Sequence, residues 1–553
     1  MGDARRRGSW GAGWGALAVA VAVVGCLAAV VWALTGVRGT PEGMLGAVPG
    51  AADSPAGPGR AAGSTVERIV VEGPAVERTN RSGRSGADGA RAWEPAACWV
   101  ELAGERVSCG WVRVPLAEGS RVSLRVAVLR VAPRRRGAPL PPLLYLGGGP
   151  GHSVIARLSR DLRPLLSLAE ERELIFVDPR GTGFGRPTLE CRESGPLEDS
   201  LRRCHERQSV DVDPSEFTTA AGVRDVEAVR RALGIERWDV LGTSHGARWA
   251  LTALRDAPQA VRAVVLDSPV PLEVDLIAQL GSNAQRALDR LAELCAAQPP
   301  CAEAFPSPRD DLLRVAAELR EAPLRTSGTV IDMDRFVRGV LGLLYAPARA
   351  AYLPQLLHRA AAGDFEPFLQ LEAGLAVDEF FLGAHLSVQC AEEAPFTSLE
   401  AIQRADQRVA TELRAVLSGR SYLEDCRLWK VRPAAARENV AVRSEHPVLI
   451  LSGELDPVTP PDYAEAVRAN LPAARWLRVR GASHGLATTA CGLRWIDAFT
   501  RAPEKELSLD CPDLGVAAPS PLAPTGELQV ELPLRFLTSA PDREELERLQ
   551  GTP

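Results

Sequence analysis

Short apolar runs separated by helical patterns dominate the middle of the chain. The runs lie at 122–131, 143–146, 174–177, 238–241, 261–266, 448–451 and 476–479. The first run alternates, whereas the later runs are mostly continuous, which is typical of strands buried on both faces. Helical patterns at 220–233 and 246–255 lie between them. This order predicts an α/β protein with a mostly parallel sheet covered by helices.

The alternation of strands and helices stops between about 270 and 443. Long stretches rich in Ala, Leu, Arg and Glu follow there with helical periodicity, as at 283–297 and 310–321. We therefore predict a helical cap at 271–443, inserted into an α/β core formed by 93–270 and 444–511. Residues 512–553 form a C-terminal extension, in which 527–536 alternates like an edge strand and 542–549 resembles a short charged helix.

The first 38 residues have the pattern of a membrane anchor. Residues 8–37 carry no charge, and 14–34 are almost continuously apolar, long enough for a helix to cross a hydrocarbon layer about 30 Å thick. Three arginines at 5–7 would stay in the cytoplasm, so the rest of the chain is expected outside it. A cleaved signal peptide is the alternative, and 23–26 loosely resembles a lipoprotein cleavage site ending in Cys26. Residues 39–92 are rich in Gly, Pro, Ala and Ser, which predicts a flexible stalk.

Ten further cysteines support an exported protein. They are Cys98, Cys109, Cys191, Cys204, Cys295, Cys301, Cys390, Cys426, Cys491 and Cys511. An even number of cysteines in an exported chain indicates disulfides, and the simplest pairing joins neighbours in order, although spacing does not fix the connectivity. A metal site is the competing interpretation, but no C-x-x-C pair or histidine cluster is present, so no metal is expected.

The charge balance argues against a nucleic-acid partner. The 553 residues include 64 Lys or Arg and 70 Asp or Glu, for a net charge of -6. Such a chain has no overall positive field that would attract a phosphate backbone. Its 46% hydrophobic and 24% charged residues match an ordinary globular protein, which excludes collagen-like and wholly disordered classes.

The strongest chemical signal is Gly-Thr-Ser-His-Gly at 242–246. It lies between an apolar run and a helical pattern, where a serine on a sharp strand-to-helix turn projects its hydroxyl clear of the sheet. A simple Gly-Ser connection is the alternative, because the five-residue pattern alone is weak. A serine hydroxyl is a good nucleophile only when a base takes its proton and an acid orients that base. Ser244 is therefore a candidate nucleophile that needs two partners.

A base and an acid stand in the expected chain order. Of the seven histidines, His484 follows the run 476–479, which would place it at the carboxyl edge of the sheet. Asp456 follows the run 448–451 and lies between Ser244 and His484, as the chain order of this kind of site requires. Glu454 is a possible substitute, and an Asp-Pro turn former is the alternative interpretation of Asp456. We predict a triad of Ser244, His484 and Asp456.

A run of glycines supplies a candidate oxyanion hole. Gly-Gly-Gly-Pro-Gly at 147–151 follows the run 143–146. The backbone N–H of Gly148 or Gly149, together with that of His245, would face the oxyanion of a tetrahedral intermediate. A phosphate-binding loop is the alternative, but neither G-x-G-x-x-G nor a following Gly-Lys-Ser/Thr is present.

Five motifs follow one another in a fixed order. They are Gly-Gly-Pro-Gly at 148–151, Asp-Pro-Arg-Gly-Thr-Gly at 178–183, the Ser244 turn, Asp-Pro-Val-Thr-Pro at 456–460 and the His484 loop. Together they resemble the prolyl and tripeptidyl aminopeptidase group of α/β-hydrolases over about 98 to 511, including its TAP-like C-terminal segment. The resemblance implies an α/β-hydrolase fold and an exported serine exopeptidase that removes amino-terminal residues or short peptides beneath a helical cap.

The resemblance also implies acids in the cap that bind the amine of the substrate. Cys-Ala-Glu at 390–392 resembles the group's Cys-x-acid element, so Glu392 is the first candidate partner for an α-ammonium and Glu393 the second. A solvated glutamate pair on a cap helix is the alternative. His245, Arg248 and Trp249 depart from the group's usual pattern around the serine, which leaves the shape of the pocket and the choice of substrate open.

These observations favour a membrane-tethered, extracytoplasmic serine hydrolase. An aminopeptidase acting on peptides with a free amino terminus is the favoured activity, and no cofactor is expected. An esterase or lipase-like hydrolase with the same triad is the first alternative, because acyl transfer to serine does not distinguish esters from amides. A noncatalytic envelope binding protein on the hydrolase scaffold is the second. The residue preference and the oligomeric state are not encoded in any of these patterns.

Overall fold

A computed structural model of the chain describes residues 77–78, 93–137, 140–326, 328–375, 380–509 and 527–531. One sheet, which has eleven strands in this described part, forms the centre of the molecule. Its strands are β1 (Glu77–Arg78), β2 (Trp93–Ala96), β3 (Val107–Pro115), β4 (Val122–Val131), β5 (Leu143–Leu146), β6 (Leu174–Val177), β7 (Trp238–Thr243), β8 (Val261–Asp267), β11 (Val448–Gly453), β12 (Ala474–Arg480) and β13 (Glu527–Glu531). A separate hairpin is formed by β9 (Leu324–Thr326) and β10 (Thr329–Ile331).

The sheet is mostly parallel, as predicted. Its strand order is β13-β12-β11-β8-β7-β5-β6-β4-β3-β2, and β1 pairs with β4. The strands from β13 to β6 are parallel to one another, whereas β4, β3 and β2 are joined by antiparallel pairing. All seven predicted apolar runs form strands. The strands β2 and β3 lie outside those runs, although β3 alternates in burial as an antiparallel strand does.

Helices lie between the strands and in a long insertion. They are α1 (Leu197–Asp211), α2 (Thr219–Ala232), α3 (His245–Asp256), α4 (Leu276–Ala296), α5 (Pro299–Ala304), α6 (Pro308–Glu321), α7 (Met333–Tyr345), α8 (Pro347–Ala350), α9 (Leu353–Ala361), α10 (Glu366–Ala373), α11 (Leu382–Glu392), α12 (Leu399–Asp406), α13 (Arg414–Leu417), α14 (Arg420–Leu428), α15 (Pro461–Arg468) and α16 (Ala490–Arg501). The helices from α4 to α14 lie between β8 and β11, and we call this segment the cap.

The core is divided by the sheet. Successive residues of β5 belong to different clusters: Leu144 and Leu146 pack on one side with Val240, whereas Leu143 and Tyr145 pack on the other. This is the burial expected when helices cover both faces of a parallel sheet. The cap has a third cluster of its own, built around the helices α4, α6, α7 and α9. The cap is therefore packed internally as well as against the sheet.

Four disulfides join neighbouring cysteines in order, as predicted. They are Cys98–Cys109, Cys191–Cys204, Cys295–Cys301 and Cys390–Cys426. Cys491 is also disulfide-bonded, and its predicted partner, Cys511, lies outside the described residues. The last of the four pairs ties α11 to α14 within the cap.

Several predictions concern residues that the structure does not describe. The anchor at 1–38, most of the stalk at 39–92 and the charged helix at 542–549 lie outside the described ranges. Within those ranges, no helix combines the length and the hydropathy that a membrane crossing needs. The predicted edge strand is present as β13, which pairs with β12 at one end of the sheet.

Candidate active site

All the predicted catalytic residues follow strands of the parallel part of the sheet. Ser244 follows β7, Asp456 follows β11 and His484 follows β12, while the glycine loop follows β5. Parallel strands present their carboxyl ends at one edge, so residues that are far apart in the sequence meet there. The topology therefore brings the candidates to a single edge.

Ser244 lies on a strained turn between β7 and α3. Its φ is 59° and its ψ is -124°, a conformation that residues other than glycine rarely adopt and that often marks a functional site. Its N–H donates to the Asp267 carbonyl oxygen at 2.8 Å. This bond holds the turn against the end of β8.

Close backbone contacts explain the two glycines that flank the turn. A Cβ at Gly242 would lie 2.3 Å from the Gly246 carbonyl oxygen, and a Cβ at Gly246 would lie 2.0 Å from the Leu146 carbonyl oxygen. No side chain fits at either distance. Gly242 is thus required by packing within the turn, and Gly246 by packing of the turn against the end of β5.

His484 and Asp456 form a buried pair. The distance between His484 Nδ1 and Asp456 Oδ2 is 2.7 Å. Burial alone would raise the pKa of Asp456, but the charge of His484 and hydrogen bonds from His484 and Thr459 hold that pKa below its usual range. An ionised carboxylate only accepts hydrogen bonds, so Nδ1 carries the donated proton and Nε2 is left able to accept one.

The loop that carries Asp456 is fixed from several sides. Asp456 Oδ1 accepts the Thr459 N–H at 2.8 Å, and Asp456 Oδ2 accepts the Thr459 hydroxyl at 2.7 Å. From the cap, Arg286 donates to the carbonyl oxygens of Glu454 and Asp456 at 2.9 and 2.7 Å. The side chain of Glu454, the possible substitute acid, pairs with Arg290 at 3.1 Å and does not contact His484.

Ser244 and His484 do not form a hydrogen bond with each other. Ser244 Oγ and His484 Nε2 are buried, and neither atom has a hydrogen-bond partner among the described residues. Hydrogen bonds between catalytic groups are often long in free enzymes and shorten when substrate binds. His484 Nε2 is thus left able to accept a proton, and the hydroxyl of Tyr345 lies close enough to the Ser244 side chain to interact with it.

The glycine loop passes directly over the Ser244 side chain. A Cβ at Gly148 would lie 2.9 Å from Ser244 Cβ and 3.4 Å from Ser244 Oγ. Gly149 has a φ of 128°, a backbone conformation that favours glycine. These residues let the loop backbone approach the hydroxyl as closely as donors to an oxyanion must.

The cap holds the glycine loop in place. The Phe381 N–H donates to the Gly151 carbonyl oxygen at 2.8 Å, and His385 Nδ1 lies 3.0 Å from the Pro150 carbonyl oxygen. A carbonyl oxygen accepts only, so His385 donates through Nδ1. The placement of this loop therefore depends on α11.

His245 contributes little positive charge to the site. Burial first, and then the charge of Arg248, lowers the pKa of its ring to about 3, so the imidazole is neutral. Its Nε2 lies 3.2 Å from Thr219 Oγ1. His245 is the first residue of α3, and N–H groups at a helix N-terminus are suited to an anion.

Arg180, in the motif at 178–183, has a structural role. Its guanidinium pairs with Asp225 of α2 at 2.6 and 2.7 Å and also donates to the Leu116 and Glu216 carbonyl oxygens. These contacts join the loop after β6 to α2.

The two candidate amine-binding acids lie in a buried cluster with Arg248. Arg248 Nε is 3.4 Å from Glu392 Oε2, and Arg248 Nη1 is 2.9 Å from Glu393 Oε1. Glu392 also accepts the N–H of Thr219 at 2.5 Å and the Thr219 hydroxyl at 2.8 Å. Burial, opposed by Arg248, raises the pKa of Glu393 to about 7 and also raises the pKa of Glu392. The structure thus brings the two acids together and places a cation from α3 between them.

Asp267, which the sequence analysis missed, anchors the His484 loop. Its carboxylate accepts the N–H groups of Leu486 and Ala487, each at 2.9 Å, and Ser268 Oγ accepts the N–H of Gly485 at 3.0 Å. Asp267 follows an apolar run, as Asp456 does, and this signal could have identified it.

Tyr345, at the end of α7, also escaped the sequence analysis. Its ring stacks on the His484 imidazole with centroids 4.1 Å apart and an interplanar angle of 24°. No local pattern marks this residue, because the contact depends on how the cap folds back over the sheet.

Two family models match the parts of the chain that carry these residues. A family model described as alpha/beta hydrolase fold matches residues 141–299, and another described as TAP-like protein matches residues 416–509. The first model covers the glycine loop and the Ser244 turn, and the second covers Asp456 and His484.

Curated relatives are similar at a low level of identity. The serine protease Hip1 of Mycobacterium tuberculosis is 25% identical over 418 residues, which span 66% of this chain and 79% of the relative. Tripeptidyl aminopeptidase of Streptomyces lividans is 25% identical over 456 residues, which span 73% of this chain and 82% of the relative. Carboxylesterase B of Mycobacterium tuberculosis is 25% identical over 409 residues, which span 64% of this chain and 76% of the relative.

Proposed function

We propose that this chain, which matches family models for the alpha/beta hydrolase fold and for TAP-like proteins, is an exported serine peptidase that releases amino-terminal residues or short peptides. The relatives named as a serine protease and a tripeptidyl aminopeptidase support peptides as the substrate class. The observation that carries the proposal is the 2.7 Å contact of His484 with Asp456 beside a strained, buried Ser244.

In the proposed mechanism, Ser244 Oγ attacks the scissile carbonyl carbon while its proton passes to His484 Nε2. Asp456 stabilises the imidazolium that results, and N–H groups of the glycine loop and of His245 donate to the oxyanion. The C–N bond then breaks as His484 gives the proton to the leaving amine. Water, activated by His484, hydrolyses the acyl-enzyme and restores Ser244.

A fluorophosphonate probe tests the nucleophile. Labelling of the folded protein should place one adduct on Ser244, because the probe reacts only with an activated serine. The variant Ser244→Ala should take no label at any other position. Folded wild-type protein without an adduct would support a noncatalytic binding protein and would refute the proposed mechanism.

The Arg248 cluster bears on recognition of a free amine. Two carboxylates facing one guanidinium leave one negative charge when both acids are ionised, which one substrate ammonium could neutralise. Glu392 is already engaged by Arg248 and twice by Thr219, whereas one oxygen of Glu393 is engaged by Arg248. We therefore assign the ammonium to Glu393, the second of the two predicted acids, and regard Glu392 as its support.

A second candidate function follows from the same cluster. Because Arg248 already pairs with both acids, the site could hydrolyse substrates without a free amine, such as blocked peptides or short acyl esters. Parallel assays of one peptide with a free terminus, its N-acetyl form and a short acyl ester distinguish the two functions. The aminopeptidase should cleave the free peptide at least tenfold more efficiently than the acetylated one, and equal efficiency would support the second candidate.

We further propose that the chain acts outside the cytoplasm. The four disulfides support this location, since such bonds persist in oxidising compartments. A membrane anchor at 1–38 is part of the proposal, and fractionation of cells that express the full chain, with and without 1–38, tests it. Recovery of the full chain in the cytoplasmic fraction would contradict export.

A further inference from the structure

The end of the cap helix α7 contacts the catalytic loop at two consecutive residues. The Ser483 hydroxyl donates to the Leu344 carbonyl oxygen, and the neighbouring His484 ring stacks on Tyr345 at 4.1 Å. Ser483 is completely buried. These two contacts thus hold the end of α7 against the loop that carries His484.

The helix that carries Tyr345 is firmly held in the cap. The side chain of Asp332 caps its N-terminus by accepting the Arg335 N–H at 2.8 Å, and Arg335 pairs with Glu372 of α10 at 2.7 Å. Leu343 and Leu344 are buried in the cap core. Movement of α7 would therefore require movement of its neighbours in the cap.

The imidazole of His484 needs such a contact. Its hydrogen bond to Asp456 restrains Nδ1 alone, and no hydrogen bond restrains Nε2 in the described part of the chain. A ring stacked on one face limits rotation of the imidazole out of its plane and excludes water from that face. The Tyr345 phenol stays neutral in this role, because burial, followed by the charge of Asp456, raises its pKa above the ordinary value, against a smaller opposite effect of its hydroxyl contact with the Ser244 side chain.

We propose that Tyr345 is a positioning residue: through its ring, the cap orients the His484 imidazole toward Ser244. The inference rests on the proposed function, since it concerns the same catalytic base. In this arrangement the cap does more than cover the substrate: the stack and the Ser483 hydrogen bond make the orientation of the base depend on the cap being closed.

Variants at Tyr345 separate the ring from its hydroxyl. Tyr345→Leu removes the stack and should lower kcat about tenfold or more while KM changes less than about threefold. Tyr345→Phe keeps the ring and should recover kcat to within about threefold of wild type. The matched control is Tyr352→Leu, because Tyr352 is another buried cap tyrosine, and its kcat per folded molecule should equal that of wild type.

Fluorophosphonate labelling supplies a readout that does not depend on the peptide. Its rate should fall in Tyr345→Leu by a factor similar to that of kcat, with the thermal midpoint measured alongside. Ser483→Ala, which keeps the ring and removes the hydrogen bond to Leu344, should also slow labelling and decides the matter if Tyr345→Leu does not fold.

The outcomes distinguish this inference from the proposed function. Wild-type protein that takes no label at Ser244 would refute the proposed function itself. If wild type labels but folded Tyr345→Leu or Ser483→Ala labels equally fast, the coupling alone is wrong. A Tyr345→Phe variant as slow as Tyr345→Leu would also overturn the inference, because the hydroxyl and not the stacked ring would then be responsible.

Discussion

The preference for a free over a blocked amino terminus, measured as a ratio of kcat/KM values, should have a bell-shaped dependence on pH. Binding of an ammonium requires an ionised Glu393, and burial raises the pKa of this carboxyl to about 7. The α-amino group of a peptide has a pKa of about 7.7–8.0 and must be protonated. Recognition therefore weakens below pH 7, as Glu393 takes up a proton, and above pH 8, as the substrate loses one.

These two pKa values set the size of the effect. About half of all encounters have both groups charged near pH 7.4, compared with about one in eleven at pH 6. The ratio of kcat/KM for the free peptide to that for its N-acetyl form should thus fall about sixfold from pH 7.4 to pH 6 and by a similar factor by pH 9. Taking the ratio cancels the titration of the catalytic groups, which both substrates share.

The variant Glu393→Gln supplies the control for this experiment. It keeps the size of the side chain but cannot ionise, so its ratio should be low and should lose its acid limb between pH 6 and 7.4. A wild-type ratio that stays constant from pH 6 to 8, or an acid limb that persists in Glu393→Gln, would refute the assignment of the ammonium to Glu393.

Three further predictions follow from the site. Arg248→Met should destabilise the protein by about 3–5 kcal/mol, because it leaves the two buried acids of the cap without their cation. A free energy of unfolding within about 1 kcal/mol of wild type, measured by denaturant titration, would contradict the ion-pair geometry. Gly148→Ala should lower kcat about 100-fold with little change in thermal midpoint, because the new methyl would lie 2.9 Å from Ser244 Cβ and would displace the loop from the hydroxyl. Unchanged kcat would show that catalysis does not need this close approach of the loop. Asp456→Asn should lower kcat about 10³- to 10⁴-fold by favouring the wrong tautomer of His484, and a loss below about tenfold in steady-state assays would exclude Asp456 as the orienting acid.

Local patterns were sufficient to predict the parallel strands of the sheet and the turn at Ser244. A strand buried on both faces must be continuously apolar, and the turn at Ser244 must have glycines where a Cβ would lie only 2.0 to 2.3 Å from a carbonyl oxygen. The disulfides were also predictable, since each of the four observed pairs joins cysteines that are adjacent along the chain. These features depend on residues that are near one another in the sequence, and for that reason they can be predicted from local sequence patterns.

Contacts between distant segments were decided only by the tertiary structure. Arg248 departs from the usual pattern of the group, but its pairing with Glu392 and Glu393 arises because α11 of the cap packs beside α3. The stack of Tyr345 on His484 likewise requires the end of α7 to reach a loop of the other half of the core. A sequence specifies which charges and rings exist, whereas burial and the packing of the whole chain determine which of them meet and at what pKa.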